Sequence, residues 1–383
     1  MHLAVLGGLP RLSRAELERM HSGVSAHSDV TAVFEEASST GPGGSSKIAR
    51  VIDQLPTTDP KAIESQILDH IPAYMGEAAG KLSFGISLYG ARWGGYKSFC
   101  LNAKKRLKSA GFRPRVVLGR EQALSSAQVL HNGLDQSRSE LIISIGSQET
   151  YIAQTYWVQD VDALSKRDIQ RPCRDMETGM LPPKLARMMI NLAGGSHLFD
   201  PFCGSGVVLG EAVLMGKEAV GSDINPEAVE CARANLEWLE QVFATGSAPS
   251  LQVADARGVA IPSGVDAVVG EMDLGPIMTR QAPRSRLNQL ADEANSLLAD
   301  TLGGLQPQLS HGTPLCLAAP VWPSGEGFIR PALAAVGDND GAIDEVGALG
   351  YNQIDIPGVR YRDLHYRRRG QYVGRQLMLL ERI

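Results

Sequence analysis

The chain has 383 residues, a formal net charge of −5, 43 % apolar residues and 21 % charged residues. That length suggests two or three domains, and that apolar content is ample for a soluble globular protein whose cores need neither disulfides nor metal. The five cysteines (Cys100, Cys173, Cys203, Cys231, Cys316) lie far apart with no CxxC pair, and the eight histidines form no HxxxH set, so neither zinc nor a disulfide framework is expected.

The opening MHLAVLGGLP is too short for a membrane span and lacks the basic start and cleavage site of a signal peptide. It reads as a first β-strand over 3–6, and a cytoplasmic protein is expected. A helix beginning at Ser13, with Glu16 three positions on, has the pattern of a capping box. The loop Gly41-Pro-Gly-Gly-Ser-Ser then precedes an alternating segment over 47–53, which closes a small α+β module over residues 1–60.

From residue 60 to about 155 helix and strand patterns alternate. Helices are predicted near 63–70, 98–108 and 125–134, and strands over 81–89, 115–118 and 140–144. This second α+β module, 61–158, carries Lys104, Lys105, Arg106, Lys108, Arg113, Arg115 and Arg120 with no acid among them. A second basic cluster, Arg360, Arg362, Arg367, Arg368, Arg369 and Arg375, sits near the C-terminus, whereas acids far outnumber bases over 201–350. Basic runs on an acidic chain are often plain solvated surface, but two this dense suit a polyanion such as nucleic acid. The polar stretch over 159–178 reads as a linker.

The remaining segment, 179–383, alternates strand and helix as a doubly wound parallel sheet does. A helix follows Leu181-Pro-Pro, with Leu185, Met188, Met189 and Leu192 on one inward stripe. Asp200 ends an apolar strand, and Gly204-Ser205-Gly206 turns the chain so that backbone N–H groups could face a ligand at the next helix's N-terminus. That helix runs over 207–215, Gly216 stops it, and a short strand ends on Asp223, whose carboxylate can accept from a ribose diol. Asn225 caps the following helix with Pro226 at its first position. Strands over 251–254, 267–270 and 315–318, a helix over 287–302, and two final strands joined through Gly370 complete the pattern. No internal repeat or transmembrane stretch is apparent.

A bare glycine fingerprint would leave a nicotinamide cofactor, or no ligand at all, open. Asp200-Pro201-Phe202-Cys203-Gly204-Ser205-Gly206, however, resembles motif I of S-adenosylmethionine-dependent methyltransferases that act on amino groups of bases. The resemblance assigns Asp200, Pro201, Phe202, Gly204, Gly206, Asp223 and Ile224 to the cofactor. Asp255 and Ala256, at the end of the next strand, would lie beside the adenine. Cys203, with no base beside it in the sequence, reads as a small side chain packed under the cofactor.

In such enzymes the fourth strand ends in Asp or Asn, two prolines and an aromatic. A base amine is a poor nucleophile because its lone pair is delocalised, so acceptors must draw on its protons and aim it, and an aromatic stacks on the extruded base. Here the stretch is Glu271-Met272-Asp273-Leu274-Gly275. Glu271, with Asp273 in support, is expected to orient the amine, and Leu274 and Gly275 to meet the substrate.

With these residues the chain resembles the tRNA guanine methyltransferases that carry an N-terminal THUMP region and modify the 2-amino group at tRNA position 10. The likeness also rests on Leu12-Ser-Arg-Ala-Glu-Leu17, Phe84-Gly-Ile-Ser-Leu-Tyr-Gly90 and Leu124-Ser-Ser-Ala-Gln-Val-Leu-His-Asn132. Further along it rests on Arg171-Pro-Cys-Arg-Asp175, Gly179-Met-Leu-Pro-Pro-Lys-Leu-Ala186 and Gln371-Tyr-Val-Gly-Arg375. It implies a C-terminal Rossmann-like class I methyltransferase domain with a terminal antiparallel hairpin, S-adenosylmethionine as cofactor, no metal, and tRNA as partner. The THUMP region would grip the tRNA through Lys104, Lys105, Arg106, Lys108, Arg113 and Arg115. Amine methylation of DNA or ribosomal RNA, a catalytically degenerate RNA-binding protein, and a small activator subunit as in eukaryotic members all stay open.

Overall fold

The computed structural model describes residues 1–36, 41–77, 80–174, 180–278, 280–325, 327–335, 340–368 and 370–383. The chain forms two compact units, Met1–Ala163 and Leu164–Ile383.

The first unit is one eight-stranded sheet with helices. Its strands are β1 (His2–Leu6), β2 (Ser25–Ser28), β3 (Thr31–Phe34), β4 (Ser45–Leu55), β5 (Lys81–Tyr89), β6 (Arg113–Val117), β7 (Glu140–Ile145) and β8 (Thr150–Val158), in the order β2-β3-β1-β4-β8-β7-β5-β6. Helices α1 (Pro10–Met20), α2 (Pro60–Tyr74), α3 (Tyr96–Ser109) and α4 (Ser126–His131) accompany it. Ile63, Ile67 and Ile71 of α2, spaced one turn apart, join Phe99, Ala103 and Leu107 of α3 in a core built on Phe84, Ile86 and Ile143. This packing buries the apolar face of α3 and leaves its basic face to solvent.

Two expectations change here. The modules read over 1–60 and 61–158 share the sheet, because β4 pairs with β8 along its length, from Lys47 opposite Val158 to Leu55 opposite Thr150. β8 lies outside the strands expected from the sequence, although its Thr, Tyr, Ile and Trp side chains favour a pleated surface. Ser13 and Glu16 form no capping box either. The helix starts earlier, at Pro10, where the fixed φ suits a first turn. The Glu16 carboxylate instead accepts from the backbone N–H groups of Gly43 and Gly44, each at 2.6 Å.

At the centre of this sheet a charged pair is fully buried. Lys47 Nζ donates to Glu140 and to the Leu124 carbonyl. Ser87 and Thr155 hydroxyls donate to the two Glu140 oxygens at 2.5 and 2.6 Å. Burial pushes the Lys47 ammonium down from its ordinary value, and Glu140 opposes that push.

Between the expected modules, the 159–178 stretch read as a linker begins with a helix, α5 (Val161–Ile169); residues 175–179, including Asp175 and Gly179, lie outside the described residues. In the second unit the strands are β9 (His197–Asp200), β10 (Glu218–Asp223), β11 (Ser250–Val253), β12 (Ala267–Glu271), β13 (Pro314–Ser324), β14 (Gly327–Ile329), β15 (Tyr351–Gln353), β16 (His365–Tyr366) and β17 (Gly374–Arg382). The main path runs β11-β10-β9-β12-β13-β17-β15, with β14 beside β13 and β16 beside β17. β11, β10, β9, β12 and β13 pair in parallel, and β17 runs antiparallel to β13. This is the expected doubly wound, Rossmann-like sheet. The final hairpin is β16 with β17, but β16 is two residues long and the outer strand of the main path is β15.

Helices α6 (Pro183–Ala193), α7 (Val207–Leu214), α8 (Pro226–Phe243), α9 (Arg284–Leu305) and α10 (Asp340–Ala348) complete the unit. The α6 stripe of Leu185, Met188, Met189 and Leu192 is buried as its spacing requires. Glu211, buried on α7, accepts from Arg167 of α5 at 2.5 Å and from Arg187 of α6 at 3.2 Å, so one carboxylate ties three helices together. Among the described residues no helix is long and apolar enough to cross a membrane.

Candidate active site

Parallel pairing brings the carboxyl ends of β9, β10, β11 and β12 to one edge of the sheet. The order reverses between β9 and β12, where α/β sheets open a crevice. A cavity of about 860 Å³ lies there, lined by Asp200, Pro201, Phe202, Gly204, Asp223, Ile224, Asp255, Ala256, Glu271, Asp273 and Leu274. One cavity therefore holds most of the cofactor and catalytic residues expected from the sequence. Gly206 and Gly275 stand beside it, and the basic residues of α3 and β6 belong to the other unit.

The glycine turn is braced from within the protein. Gly204 and Gly206 both take left-handed φ values, +49° and +81°, which explains glycine at these positions. Their N–H groups, however, are taken up within the protein: Gly204 donates to Asp223 Oδ2 at 2.9 Å and Gly206 to the Cys203 carbonyl at 2.7 Å. Asn225 N–H donates to Asp223 Oδ1 at 2.9 Å. Asp223 thus braces the corner, and the Ser205, Val207 and Val208 segment that follows lines the cavity. Each Asp223 oxygen keeps a second lone pair for a hydroxyl donor. A Cβ at Gly221 would lie 2.8 Å from that of Cys203, so the buried cysteine packs tightly beneath the turn. Burial pushes its thiol up, away from thiolate character.

Charge is the clearest property of the cavity. Six carboxylates line it (Asp200, Asp223, Glu227, Asp255, Glu271, Asp273) against two arginines, Arg174 and Arg257. Arg257 is spent on Asp255, with contacts of 2.5 to 3.0 Å, and holds that carboxyl down to about 2. Asp200, 1 % exposed, is pushed well above the usual carboxylate range, by burial first and then by the nearby Asp223 and Glu271. Such a site suits a ligand carrying positive charge. A sulfonium with an ammonium group fits it, whereas the pyrophosphate of a dinucleotide would meet repulsion.

Ile224 is 64 % exposed, an unusual position for an isoleucine, and offers an apolar face beside Asp223. Glu271 ends β12, and its Oε1 accepts from Arg375 Nε at 2.7 Å. Burial pushes the Glu271 carboxyl up, and Arg375 pulls the other way. Asp273 is exposed, and its Oδ1 accepts from Gly275 N–H at 3.0 Å, a turn that gives Gly275 a φ of +77°. Leu274 lines the cavity but is only 5 % exposed, so it presents little surface.

Two features escape the sequence reading. Arg375, expected in a surface basic cluster, is buried against Glu271; in the same cluster Arg360 pairs with Asp363, and Arg369 lies outside the described residues. Its only local signal is its place at the head of the apolar run Leu377-Met-Leu-Leu380. Cys173 and Cys231, expected to be unpaired, form a disulfide with an S–S distance of 1.99 Å on the cavity wall. Asn235 on α8 pins the same segment through the backbone N–H and carbonyl of Cys173, both at 3.0 Å. A separation of 58 residues hides such a pair from spacing rules.

Residues 171–302 match the family model of an RMKL-like methyltransferase domain (UPF0020). The chain is 34 % identical over 145 residues to the tRNA (guanine(10)-N2)-dimethyltransferase of Methanothermobacter thermautotrophicus, covering 37 % of this chain and 39 % of that one. It is 48 % identical over 59 residues to the Pyrococcus abyssi protein of the same name, covering 15 % and 18 % of the two chains. The chain thus spans less than half the length of these curated relatives. Among solved structures, TrmN from Thermus thermophilus matches with a TM-score of 0.51 and 16 % identity, over 100 % of this chain and 99 % of that one. That likeness extends to the fold of both units.

Proposed function

We propose that the chain transfers a methyl group from S-adenosylmethionine to the exocyclic 2-amino group of a guanine in tRNA, at position 10. The observation that carries this reading is the acid-lined cavity, with Asp223 bracing the glycine turn at one side and the Glu271 carboxylate at the end of β12. The names of the archaeal relatives support tRNA guanine as the target.

When bound, S-adenosylmethionine supplies a methyl carbon made electrophilic by its sulfonium. Asp223 would accept from the ribose hydroxyls, Ile224 would pack on the adenine with Asp255 and Ala256 at its edge, and the acid-lined wall would favour the cationic end. Glu271 accepts an N–H of the target amine, which localises the nitrogen lone pair and aims it. Glu271 would also take up the proton that the amine gives up on methylation. Asp273 stands at the mouth as a second acceptor.

Asp223→Ala is expected to weaken S-adenosylmethionine binding by about 10- to 100-fold, the loss of hydrogen bonds to a charged acceptor together with the turn brace. Isothermal titration calorimetry reads this, with circular dichroism confirming an intact fold.

The first unit, with 61–158 as a THUMP-like region, provides the RNA grip in this reading. Lys105, Arg106, Lys108, Arg113 and Arg115 are exposed on α3 and β6, and Lys104 is half-buried beside them. The triple variant Lys104→Gln, Lys105→Gln, Lys108→Gln should weaken tRNA binding. It should also flatten the dependence of log K on log salt by roughly 0.7–0.9 per lost phosphate contact, leaving cofactor affinity unchanged.

Transfer of labelled methyl from S-adenosylmethionine to an RNA pool tests the reading directly. Label that is lost on ribonuclease treatment and carried by tRNA is the expected result. Label resistant to ribonuclease would point to DNA, and cofactor binding without transfer would point to a binding protein.

A further inference from the structure

Arg375 is the second residue of β17, and its Nε reaches Glu271 Oε1 at 2.7 Å from a position 104 residues away in sequence. The two side chains are 2 % and 13 % exposed. Between β17 and β12 lies β13, so the arginine crosses roughly 10 Å of sheet, two strand spacings, to make this contact. β13 allows it: opposite Glu271 stands Ala318, and opposite Arg375 stands Pro320, with Ala319 between. Glu271 has no other polar partner among the described residues, and it lines the cavity, so Oε2 keeps its lone pairs for a donor there.

We propose that Arg375 is a positioning residue for the reaction: it clamps one oxygen of the Glu271 carboxylate and leaves the other to the target amine. A glutamate has one more rotatable bond than the aspartate or asparagine usual at this place, and so a wider arc of carboxylate positions. Anchoring Oε1 removes that freedom. The guanidinium also offsets the burial that would otherwise favour a protonated carboxyl, which could not accept the amine's hydrogen. Stability alone explains the pair poorly, because buried ion pairs are often replaceable by apolar residues at little cost. This inference rests on the reading above for the amine, but the clamp is a property of the protein alone.

Two experiments test it. In the first, the side-chain carboxyl ¹³C resonance of Glu271, identified by its absence in Glu271→Gln, is titrated in the wild type and in Arg375→Met. The midpoint should move to higher pH in the variant, and an unmoved midpoint would overturn the clamp. No RNA is needed, so this result stands apart from any failure of wild-type methyl transfer, which would sink the functional reading instead.

In the second, kcat is compared around a double-mutant cycle. Arg375→Met should lower kcat about tenfold to a hundredfold in the wild-type background, but by less than about twofold when Glu271 is already Gln. The double variant removes both charges of this pair together, so it keeps the comparison with Glu271→Gln available should the single variant fail to fold. A further large loss in the double variant would show that Arg375 acts independently of Glu271, which contradicts the proposal.

Discussion

Glu271→Gln should lower kcat by about 10²–10³-fold, the scale on which one preorganised hydrogen-bonding group contributes to transition-state stabilisation, while S-adenosylmethionine affinity stays close to that of the wild type. The reason lies in the pairing with Arg375. A guanidinium only donates, so the glutamine must turn its amide oxygen toward Nε. Its NH₂ then faces the cavity and confronts the N–H groups of the target amine, donor against donor. The same geometry sets the pH dependence. Burial raises the Glu271 carboxyl above the usual range, and only the ionised form accepts. The wild-type rate should therefore fall as pH drops through that raised value, and this acid limb should vanish in Glu271→Gln. Single-turnover kinetics across pH, with calorimetry for cofactor binding, measures both. A fully active Glu271→Gln would remove the role assigned to this carboxylate.

The second large effect is on stability. Lys47→Met should destabilise the first unit by about 3–5 kcal/mol, because it strands the Glu140 carboxylate in the middle of the sheet with hydroxyl donors but no cation. Lys47 and Glu140 are 1 % and 0 % exposed, so water cannot supply the missing partner. Replacing both, with Lys47→Met and Glu140→Leu, should recover much of the loss. Hydrogen exchange read on β4 and β8 peptides isolates this unit from the other. Protection unchanged to within about 1 kcal/mol in Lys47→Met would show that the pair contributes little.

The second unit is far more legible in the sequence than the first. Its strands are short apolar runs, its helices carry local boundary signals such as Asn225-Pro226 and Gly216, and β9, α7 and β10 each appear at the expected place. Spacing alone also brings Asp200, Asp223, Asp255 and Glu271 to one edge, because parallel pairing aligns their strand ends. What stays hidden depends on distant partners. Ser13 and Glu16 have the local pattern of a cap, but Gly43 and Gly44 recruit the glutamate through the fold. Arg375 reads as one more basic residue until β13 and β17 set it against Glu271. Cys173 and Cys231 read as unrelated thiols until α8 carries one to the other. The glycine turn shows the same limit, since which group takes the Gly204 N–H depends on where β10 delivers Asp223.

The most direct measurement is nucleoside analysis by liquid chromatography and mass spectrometry of tRNA incubated with the purified chain and S-adenosylmethionine. The expected product is guanosine methylated on its 2-amino group, mapped to position 10. Methyl on another base, or no methylated nucleoside from a protein shown to bind the cofactor, would contradict the proposed reaction.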